Sequence, residues 1–314
     1  MIVSVTPNPA ADLTLRPDAL VDGASHRIPP AERRAGGKGL NVARVLAQLG
    51  IAHRAIAPVG EDDLAWFSAD LDGVTTHLVP CPGSVRRTYA IVPRDGSATS
   101  ILNERGAPRD AAVWDAVLAA AVEAASAASA LAISGSVPQG SGPTNGADGI
   151  VPALVRAGRA AGVPVIADVS GAHLAAAAEA GADVLKPNHD EIRQTTGLDD
   201  PLAGARSLQR AGAGSLVVSL GEEGMLGVPS DPAAPVLRAR LGRVLVGNPT
   251  GAGDAAVAAI ASAIGPDRLS FESDLPEILR RATAWSAAAV LAPLAGSVDP
   301  SHADLAREVE ISPL

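Results

Sequence analysis

The sequence predicts an α/β fold, in which a mostly parallel sheet is covered by helices on both faces and accompanied by a small exposed sheet. After Pro108, segments with helical and strand-like hydrophobic periods alternate with short connections, which is typical of a parallel sheet. Glycine loops at 36–39 and 251–253 each precede a run of helix-forming residues. Segments 85–93 and 98–103 flank a short turn and indicate a hairpin with one polar face.

Hydrophobic period and turn residues predict the elements in order. The expected strands are 2–5, 52–59, 74–79, 130–134, 163–168, 182–185 and 215–220, followed by an antiparallel pair near 224–228 and 236–246. The expected helices follow Lys38 and Gly253 and cover about 62–71, 109–129, 150–161, 171–180 and 275–291. A half-exposed strand and its return within 12–34 would join the hairpin. We therefore expect one domain over 1–314, with the small sheet formed from about 12–35 and 84–104.

The composition indicates which residues build the core and which kinds of partner are excluded. The 314 residues are 47% hydrophobic but only 2% aromatic, so alanine, valine, leucine and isoleucine must build the core. A net charge of −9 argues against a surface for nucleic acid. The single cysteine, Cys81, excludes an intramolecular disulfide and a clustered cysteine metal site. No segment resembles a signal peptide or a membrane span, so we expect a cytoplasmic protein without membrane partners.

Lysine is rare in this chain. Of the 25 basic residues only Lys38 and Lys186 are lysine, and both lie in turn-like sequences, Gly-Gly-Lys-Gly and Leu-Lys-Pro-Asn. A compact ammonium differs from a planar guanidinium in reach and hydration, so these positions could require the point charge. Because there are only two lysines, their placement by chance is the alternative.

The loop of residues 248–253 feeds a helix of small residues and predicts an anion site. Glycines expose backbone N–H groups at a helix start, where the helix dipole also favours an anion. Asp254 follows directly, and a carboxylate would repel an anion unless it has a function there. Abstracting a proton from a hydroxyl that attacks a phosphoryl group is one such function. The alternative is that Asp254 only caps the helix.

Two nucleotide-binding motifs are absent. The first strand runs into Pro7-Asn8-Pro9 and not into Gly-x-Gly-x-x-Gly, which weighs against a dinucleotide-binding fold. The loop around Lys38 is not a Walker A loop, because Gly39 follows the lysine where serine or threonine would be required.

Polar and glycine-rich clusters recur where the predicted strands end. They are Asp12, 36–41, 135–138, 168–171, 186–188 with Glu191, 219–221 and 248–254. Ligands of open α/β sheets bind beyond the carboxyl ends of the strands. Each cluster alone could be an ordinary turn, but their shared location predicts one binding site.

Five of these motifs resemble the ribokinase-like, or PfkB, family of carbohydrate kinases, in the branch of phosphosugar kinases. They occur in the family's order: Val5-Thr6-Pro7-Asn8-Pro9-Ala10 with Asp12, Ala35-Gly36-Gly37-Lys38-Gly39 with Asn41, Gly135-Ser136-Val137-Pro138, Lys186-Pro187-Asn188 with Glu191, and Thr250-Gly251-Ala252-Gly253-Asp254. The resemblance covers essentially the whole chain. It implies a three-layer α/β/α core with a β-sheet lid, and ATP with Mg²⁺ in phosphoryl transfer.

The resemblance also implies roles for single residues. Asp254 would be the catalytic base, and the N–H groups of Gly251, Ala252 and Gly253 would form the anion hole. Asn188 and Glu191 would hold Mg²⁺ through water, in the family's manner. The residues expected to bind ATP are Lys186, Asn188, Ser219, Gly221, Gly224 and Thr250. Those expected to bind the sugar are Asp12, Gly37, Lys38, Asn41, Arg86, Glu104 and Ser136.

The chain departs from the branch in the lid. Where the branch has Thr-Arg-x-Asn followed by an apolar residue and lysine, this chain has Val85-Arg86-Arg87-Thr88-Tyr89-Ala90, and Asn103-Glu104-Arg105-Gly106 has arginine where proline is common. Lys38 and these three arginines border the sugar site, which predicts a phosphorylated ketohexose as acceptor, fructose 1-phosphate first and tagatose 6-phosphate next. Strand alternation allows only one of Arg86 and Arg87 to face the sugar, and we favour Arg86. The alternative is that Arg87 and Arg105 are solvated.

Other functions are open on the sequence alone. A kinase of an unphosphorylated sugar or nucleoside would keep Asp254, and a non-catalytic sugar or nucleotide sensor would keep the binding loops. The missing dinucleotide loop disfavours an oxidoreductase. The open strand edges and the apolar residues Val85, Ile91 and Ile101 of the lid predict a homodimer with lid against lid.

Overall fold

The computed structural model describes residues 1–138 and 149–314, which contain fourteen strands. In chain order they are β1 (Ile2–Val5), β2 (Ala10–Leu15), β3 (Glu32–Gly36), β4 (His53–Gly60), β5 (Thr76–Cys81), β6 (Arg86–Ile91), β7 (Ser100–Asn103), β8 (Ala130–Ser134), β9 (Val165–Asp168), β10 (Val184–Leu185), β11 (Ser215–Ser219), β12 (Met225–Val228), β13 (Leu237–Leu241) and β14 (Val309–Pro313).

Ten of these strands form one large sheet. Their spatial order is β14-β13-β12-β11-β10-β9-β8-β1-β4-β5. From β5 to β11 every neighbouring pair is parallel, whereas β11 to β14 are joined by antiparallel pairs. The prediction of a mostly parallel sheet is confirmed.

Helices cover both faces of the large sheet. They are α1 (Lys38–Gln48), α2 (Leu64–Asp70), α3 (Ala111–Ala125), α4 (Ile150–Ala160), α5 (Ala172–Glu179), α6 (His189–Thr196), α7 (Pro201–Ala211), α8 (Ala252–Ile264), α9 (Leu275–Leu291) and α10 (His302–Glu308). One apolar cluster joins the sheet to α3, α4, α5 and α7. A second cluster joins it to α1, α8, α9 and α10. The three-layer α/β/α arrangement follows.

Small side chains explain how a core with few aromatic residues closes. Every residue of α8 from Asp254 to Ala263 is buried, and the run is mostly alanine. Alanine lets a helix approach its neighbours closely without losing helix propensity. Helix α8 therefore packs directly on the sheet, in one layer between α1 and α9.

The remaining four strands form the small sheet, in the order β3-β2-β6-β7. Strand β2 pairs antiparallel with β3 and parallel with β6, and β6–β7 is the predicted hairpin. Ile101 and Leu102 of β7 are exposed, but Val85 is buried against the cluster that contains Phe67 and Leu71. The expectation that Val85 contributes to an exposed apolar face is wrong, because it lies at the junction with the large sheet.

The sequence analysis gives no range for four elements: α6, α7, α10 and β14. For α7 a signal was present, since Asp200 caps the helix and Pro201 occupies its first turn. Strand β14 ends in proline and forms the sheet edge beside β13, where a missing N–H is tolerated. Among the described helices, none is both long and apolar enough to cross a bilayer.

Candidate active site

Two cavities open beyond the carboxyl ends of the parallel strands and meet at Lys38 and Glu191. The large cavity has a volume of about 670 Å³, and the small cavity about 440 Å³. The ends of β9, β10 and β11 contribute Asp168, Lys186 and Ser219 to the large cavity. The small cavity lies between the large sheet and the small sheet, where Arg86 and Ser136 line it.

The two lysines of the chain share one buried carboxylate. Lys38 Nζ lies 3.2 Å from Asp168 Oδ1, and Lys186 Nζ lies 3.6 Å from the same oxygen. Glu191 Oε1 is 3.9 Å from Lys38 Nζ. Sequence reasoning placed Asp168 at the strand edge but assigned it no role. The placement of both lysines is therefore explained by a common anchor between the cavities.

Electrostatics keep this cluster ionised. Burial alone would raise the pKa of Asp168, but Lys186 and Lys38 lower it below its ordinary value. Burial would likewise lower the pKa of Lys38, but the carboxylates of Asp168, Glu191 and Asp254 raise it. A fixed positive charge thus stands where the two cavities meet.

Asp254 lies in the first turn of α8 and is 5% exposed. Its side chain makes no capping bond to that helix, whose N-cap is Gly251. Instead Asn41 Nδ2 of α1 donates to Asp254 Oδ2 at 2.8 Å. Burial raises the pKa of Asp254 to about 6, with Lys38 opposing the shift. The helix-capping alternative for Asp254 therefore finds no support in the hydrogen bonds.

The 248–253 loop presents backbone donors beside this carboxylate. Gly251 has a φ of 88°, a conformation that glycine adopts without strain. The N–H groups of Gly251 and Gly253 donate to no acceptor within residues 1–138 and 149–314, whereas the Ala252 N–H lies 3.2 Å from the Pro249 carbonyl oxygen. A Cβ on Gly253 would lie 3.4 Å from Lys186 Nζ, so that ammonium sits directly against the loop. Two free donors and one lysine make a site for a phosphoryl group.

Asn188 and Glu191 form a capping box at the start of α6. The Glu191 N–H donates to Asn188 Oδ1 at 2.8 Å, and the Asn188 N–H donates to Glu191 Oε2 at 2.9 Å. Nearby, Asp168 Oδ2 is buried with no hydrogen-bond partner among the described atoms. No group of three or more His, Cys, Asp or Glu side chains in the described part of the chain is placed to hold a metal ion directly. Mg²⁺ keeps several waters and takes further ligands from phosphates, so these oxygens would fit the ion through its waters.

Asp12 lies on β2, is half-buried and lines neither cavity. Its carboxylate occupies the space that a side chain at Gly36 would need, so that position requires glycine. Burial raises the pKa of Asp12 to about 6, against the lowering effects of Arg86, Thr88, the Gly37 backbone and Arg34. Asp12 is therefore a half-buried acid at the base of the small sheet.

Arg86 and Arg87 point to opposite sides of β6. Arg86 lines the small cavity and donates four hydrogen bonds, 3.4 Å to the Asn8 carbonyl oxygen, 3.2 Å to Thr88 Oγ1, 3.5 Å to Asn103 Oδ1 and 3.4 Å to the Glu104 carbonyl oxygen. The Arg87 N–H donates to Glu104 Oε2 at 2.8 Å, and the Tyr89 hydroxyl donates to Glu104 Oε1 at 3.2 Å. The Glu104 carboxylate is thus already held by the small sheet, although Glu104 borders the cavity.

Asn8 connects the two walls of the small cavity and had no role in the sequence analysis. Its Nδ2 donates to Ser136 Oγ at 3.0 Å, and its side chain occupies the space beside Gly106. The Pro7-Asn8-Pro9 turn after β1 was the available signal.

The large cavity combines an apolar wall with unpaired hydroxyls. Val244, Val246 and Val290 line it, opposite Gly221 and Gly224. The hydroxyls of Ser219, Thr250 and Thr283 are buried without a hydrogen-bond partner in the described part of the chain. Thr283 also lines this cavity, and no sequence signal pointed to it because it lies within α9.

Most of the predicted site residues line a cavity. Six do not line either of the two: Asp12, Gly37, Asn41, Thr250, Gly251 and Asp254. Gly37 caps α1. The structure therefore brings the predicted residues into one region, where the Asp254 carboxylate is buried and Asp12 is half-buried.

Comparison with known proteins identifies relatives over nearly the whole chain. Residues 8–302 match the pfkB family of carbohydrate kinases. The chain is similar to 1-phosphofructokinase of Xanthomonas campestris pv. campestris, with 33% identity over 90% of this chain and 89% of the relative. It is also similar to 1-phosphofructokinase of Rhodobacter capsulatus, with 32% identity over 92% and 90% of the two chains.

A solved structure supports the same assignment. The fold is similar to that of Escherichia coli phosphofructokinase-2 in complex with fructose-6-phosphate, with 26% identity, a TM-score of 0.83, and coverage of 98% of this chain and 97% of that one. The expected fold class and family are confirmed. The chain belongs to the pfkB family of carbohydrate kinases and is a sugar kinase with ATP as a substrate.

Proposed function

We propose that this protein transfers the γ-phosphoryl group of ATP to a hydroxyl of a phosphorylated ketohexose, with fructose 1-phosphate as the leading acceptor and tagatose 6-phosphate next. The observation that carries the proposal is the meeting of two cavities at Lys38, beside the 248–253 loop and Asp254. Phosphoryl transfer needs a donor and an acceptor site that share one reaction centre.

The large cavity suits the nucleotide. Its apolar wall would cover the base, and Ser219 and Thr283 offer unpaired hydroxyls. Lys186 and the free N–H groups of Gly251 and Gly253 would meet the phosphates. Asn188, Glu191 and Asp168 would hold Mg²⁺ and its waters, and the ion would neutralise charge on the transferring phosphates.

Asp254 is our candidate for the general base. A carboxylate with a pKa near 6 is mostly ionised at neutral pH and can still accept a proton from the attacking hydroxyl. Asn41 would orient it through the 2.8 Å hydrogen bond, and Lys38 would stabilise the negative charge that develops between donor and acceptor.

The small cavity suits a sugar phosphate because cations outnumber carboxylates in its lining, in a protein of net charge −9. Lys38, Arg86 and Arg105 border it, against Glu104 and Glu191. The four hydrogen bonds of Arg86 all go to uncharged oxygens, so a phosphate would offer its guanidinium a stronger, charged partner. Two relatives named 1-phosphofructokinase support fructose 1-phosphate as the first acceptor to test.

The small sheet would act as a lid over the sugar and as a contact between protomers. Its β7 edge exposes Ile101 and Leu102, and Leu20 and Val21 are exposed between β2 and β3. Association of two small sheets would cover these apolar residues and the open strand edge. Because ATP is the donor, we place the enzyme in the cytoplasm.

A direct assay tests the proposed acceptor. ADP release is measured with ATP and Mg²⁺ in the presence of fructose 1-phosphate, tagatose 6-phosphate, fructose 6-phosphate or fructose. We expect the highest kcat/KM with fructose 1-phosphate. A kcat/KM for fructose equal to that for fructose 1-phosphate would remove the phosphate site and favour a kinase of an unphosphorylated sugar. A higher kcat/KM for fructose 6-phosphate would support the proposed phosphoryl transfer but contradict fructose 1-phosphate as the acceptor.

A further inference from the structure

Arg34 connects the small sheet to a distant segment of the chain. It lies on β3, and its Nη1 donates to the Ala295 carbonyl oxygen at 2.8 Å and to Ser297 Oγ at 3.2 Å. These acceptors belong to residues 295–297, which follow α9 in the chain. The resemblance and the proposed mechanism assign Arg34 no role.

The 295–297 segment packs against the reaction centre. A Cβ on Gly251 would lie 3.0 Å from the Ala295 Cα, so Ala295 backs the loop whose N–H groups would bind the phosphoryl group. A Cβ on Gly296 would lie 3.0 Å from Asn41 Oδ1, and Asn41 holds Asp254 through its Nδ2. One short segment therefore supports both the 248–253 loop and the amide that orients Asp254.

The backbone of Arg34 lies in the small sheet, which borders the proposed sugar cavity. In the β2–β3 ladder Arg34 is the direct partner of Asp12, and Asp12 in turn is paired across β2–β6 with Thr88, two residues from Arg86. Burial lowers the pKa of Arg34, and the carboxylates of Asp70 and Asp12 oppose this shift, so both acids lie within its electrostatic reach. Any movement of β3 relative to the large sheet would move the guanidinium that holds residues 295–297.

We propose that Arg34 is a positioning residue, through which the placement of the small sheet sets the geometry of the 248–253 loop and Asp254. The proposal rests on the proposed kinase function, because Asp254 and the loop are its candidate chemical groups. The position of the 248–253 loop and of Asp254 matters because a displacement of about 1 Å in a reaction centre can lower the rate about 100-fold. Arg34 would thus affect the chemical step without touching either substrate.

Arg33 offers a matched control on the same strand. Its side chain also anchors β3, through an ion pair of 3.0 Å with Asp63 and a position 3.6 Å over the Trp66 ring. It contacts α2, however, and not residues 295–297. Loss of Arg33 removes one anchor of β3 but keeps the hydrogen bonds from Arg34 to residues 295–297, so it should leave the reaction centre in place.

The test compares Arg34→Met, Arg34→Lys and Arg33→Met with the parent enzyme, using the sugar that the parent phosphorylates fastest. For Arg34→Met we expect kcat to fall about 10- to 100-fold while KM for ATP changes less than about twofold, because the loop and Asp254 act in the chemical step. Lysine should restore part of kcat, since its ammonium can reach one of the two acceptors. Arg33→Met should keep the parent kcat. Equal kcat in Arg34→Met and the parent, or equal losses in the two methionine variants, would overturn the proposal.

Hydrogen–deuterium exchange tests the same link without any turnover. In the absence of ligands, Arg34→Met should exchange faster than the parent in peptides that cover 249–254 and 295–298, whereas Arg33→Met should not. Unchanged exchange at 249–254 would contradict the proposal even if the enzyme phosphorylates none of the sugars tried. A parent that exchanges as expected but releases no ADP would instead contradict the proposed function.

Discussion

Asn41 Nδ2 lies 2.8 Å from Asp254 Oδ2, so an amide of α1 holds a buried carboxylate of α8 across 213 positions of sequence. The bond joins the glycine loop around Lys38 to the 248–253 loop. Because both loops border the cavities, this contact relates the sugar side to the phosphoryl side. Asp254 is thus placed by its neighbours, and not by a capping bond to its own helix.

The first prediction concerns catalysis by Asp254. We expect Asp254→Asn to lower kcat about 10²- to 10⁴-fold, because the base acts only in the chemical step. Binding of ATP, measured by calorimetry, should stay near the parent value. An Asp254→Asn enzyme that phosphorylates sugar at the parent rate would show that Asp254 is not the base.

The second prediction concerns the stability of the same variant. Burial raises the pKa of Asp254 from 3.8 to about 6, so the folded state binds a proton more tightly than the unfolded state. Stability is therefore lost as pH rises from about 4 to about 6, and the penalty is complete above pH 6. The amide that replaces the carboxyl group cannot ionise, so Asp254→Asn should raise the free energy of unfolding by about 1–3 kcal/mol at pH 7.5.

Urea unfolding of the parent and Asp254→Asn at several pH values provides the measurement. The increase in the free energy of unfolding should shrink as pH falls towards 4, because both proteins then carry a neutral side chain at position 254. A gain that is independent of pH would mean that packing, and not ionisation, separates the two proteins.

The third prediction concerns the acid limb of the pH profile. With Asp254 as base, kcat should fall as pH decreases through about 6. Lys38 lowers the pKa of Asp254, so Lys38→Met should move this limb to higher pH besides reducing kcat. Steady-state rates at saturating ATP and sugar between pH 5 and pH 9 test the shift. A reduced kcat with an unmoved acid limb would show that Lys38 does not set the pKa of the group that titrates.

The fourth prediction concerns the sugar phosphate. Arg86→Ala should raise KM for fructose 1-phosphate by the equivalent of about 1.5–3 kcal/mol, the contribution of a hydrogen bond to a charged group, with little change in KM for ATP. Arg87→Ala is the control, because that side chain does not line the small cavity. Equal sugar kinetics in Arg86→Ala and the parent would exclude Arg86 from the phosphate site.

The fifth prediction concerns association. Leu102 is 57% exposed on β7, at the edge of the small sheet. We expect Leu102→Glu to weaken self-association, because it places a charge in an apolar contact. Sedimentation velocity at micromolar concentration compares the two proteins, with Val122→Glu on the outer surface of α3 as a control. A monomeric parent would exclude the contact altogether.

The sequence by itself determined the order of the elements and the family. Hydrophobic period and glycine loops predicted β8 and α9 with the bounds that the structure has, since strong local patterns coincide with burial on the large sheet. The five motifs predicted part of the cavity lining, including Lys38, Lys186 and Ser136. Strand alternation also predicted that only one of Arg86 and Arg87 would face the sugar, and the favoured Arg86 borders the small cavity whereas Arg87 does not.

Only the tertiary structure decided which residues form ion pairs or hydrogen bonds with each other. Asp168 pairs with Lys38, 130 positions away in the sequence, and no local pattern encodes such a distance. The bond from Asn41 to Asp254 and the reach of Arg34 to residue 295 arise in the same way, from the packing of α1, α8 and β3. Raised carboxyl pKa values follow from burial in that packing, because desolvation depends on what surrounds a group in space and not on its neighbours in the chain.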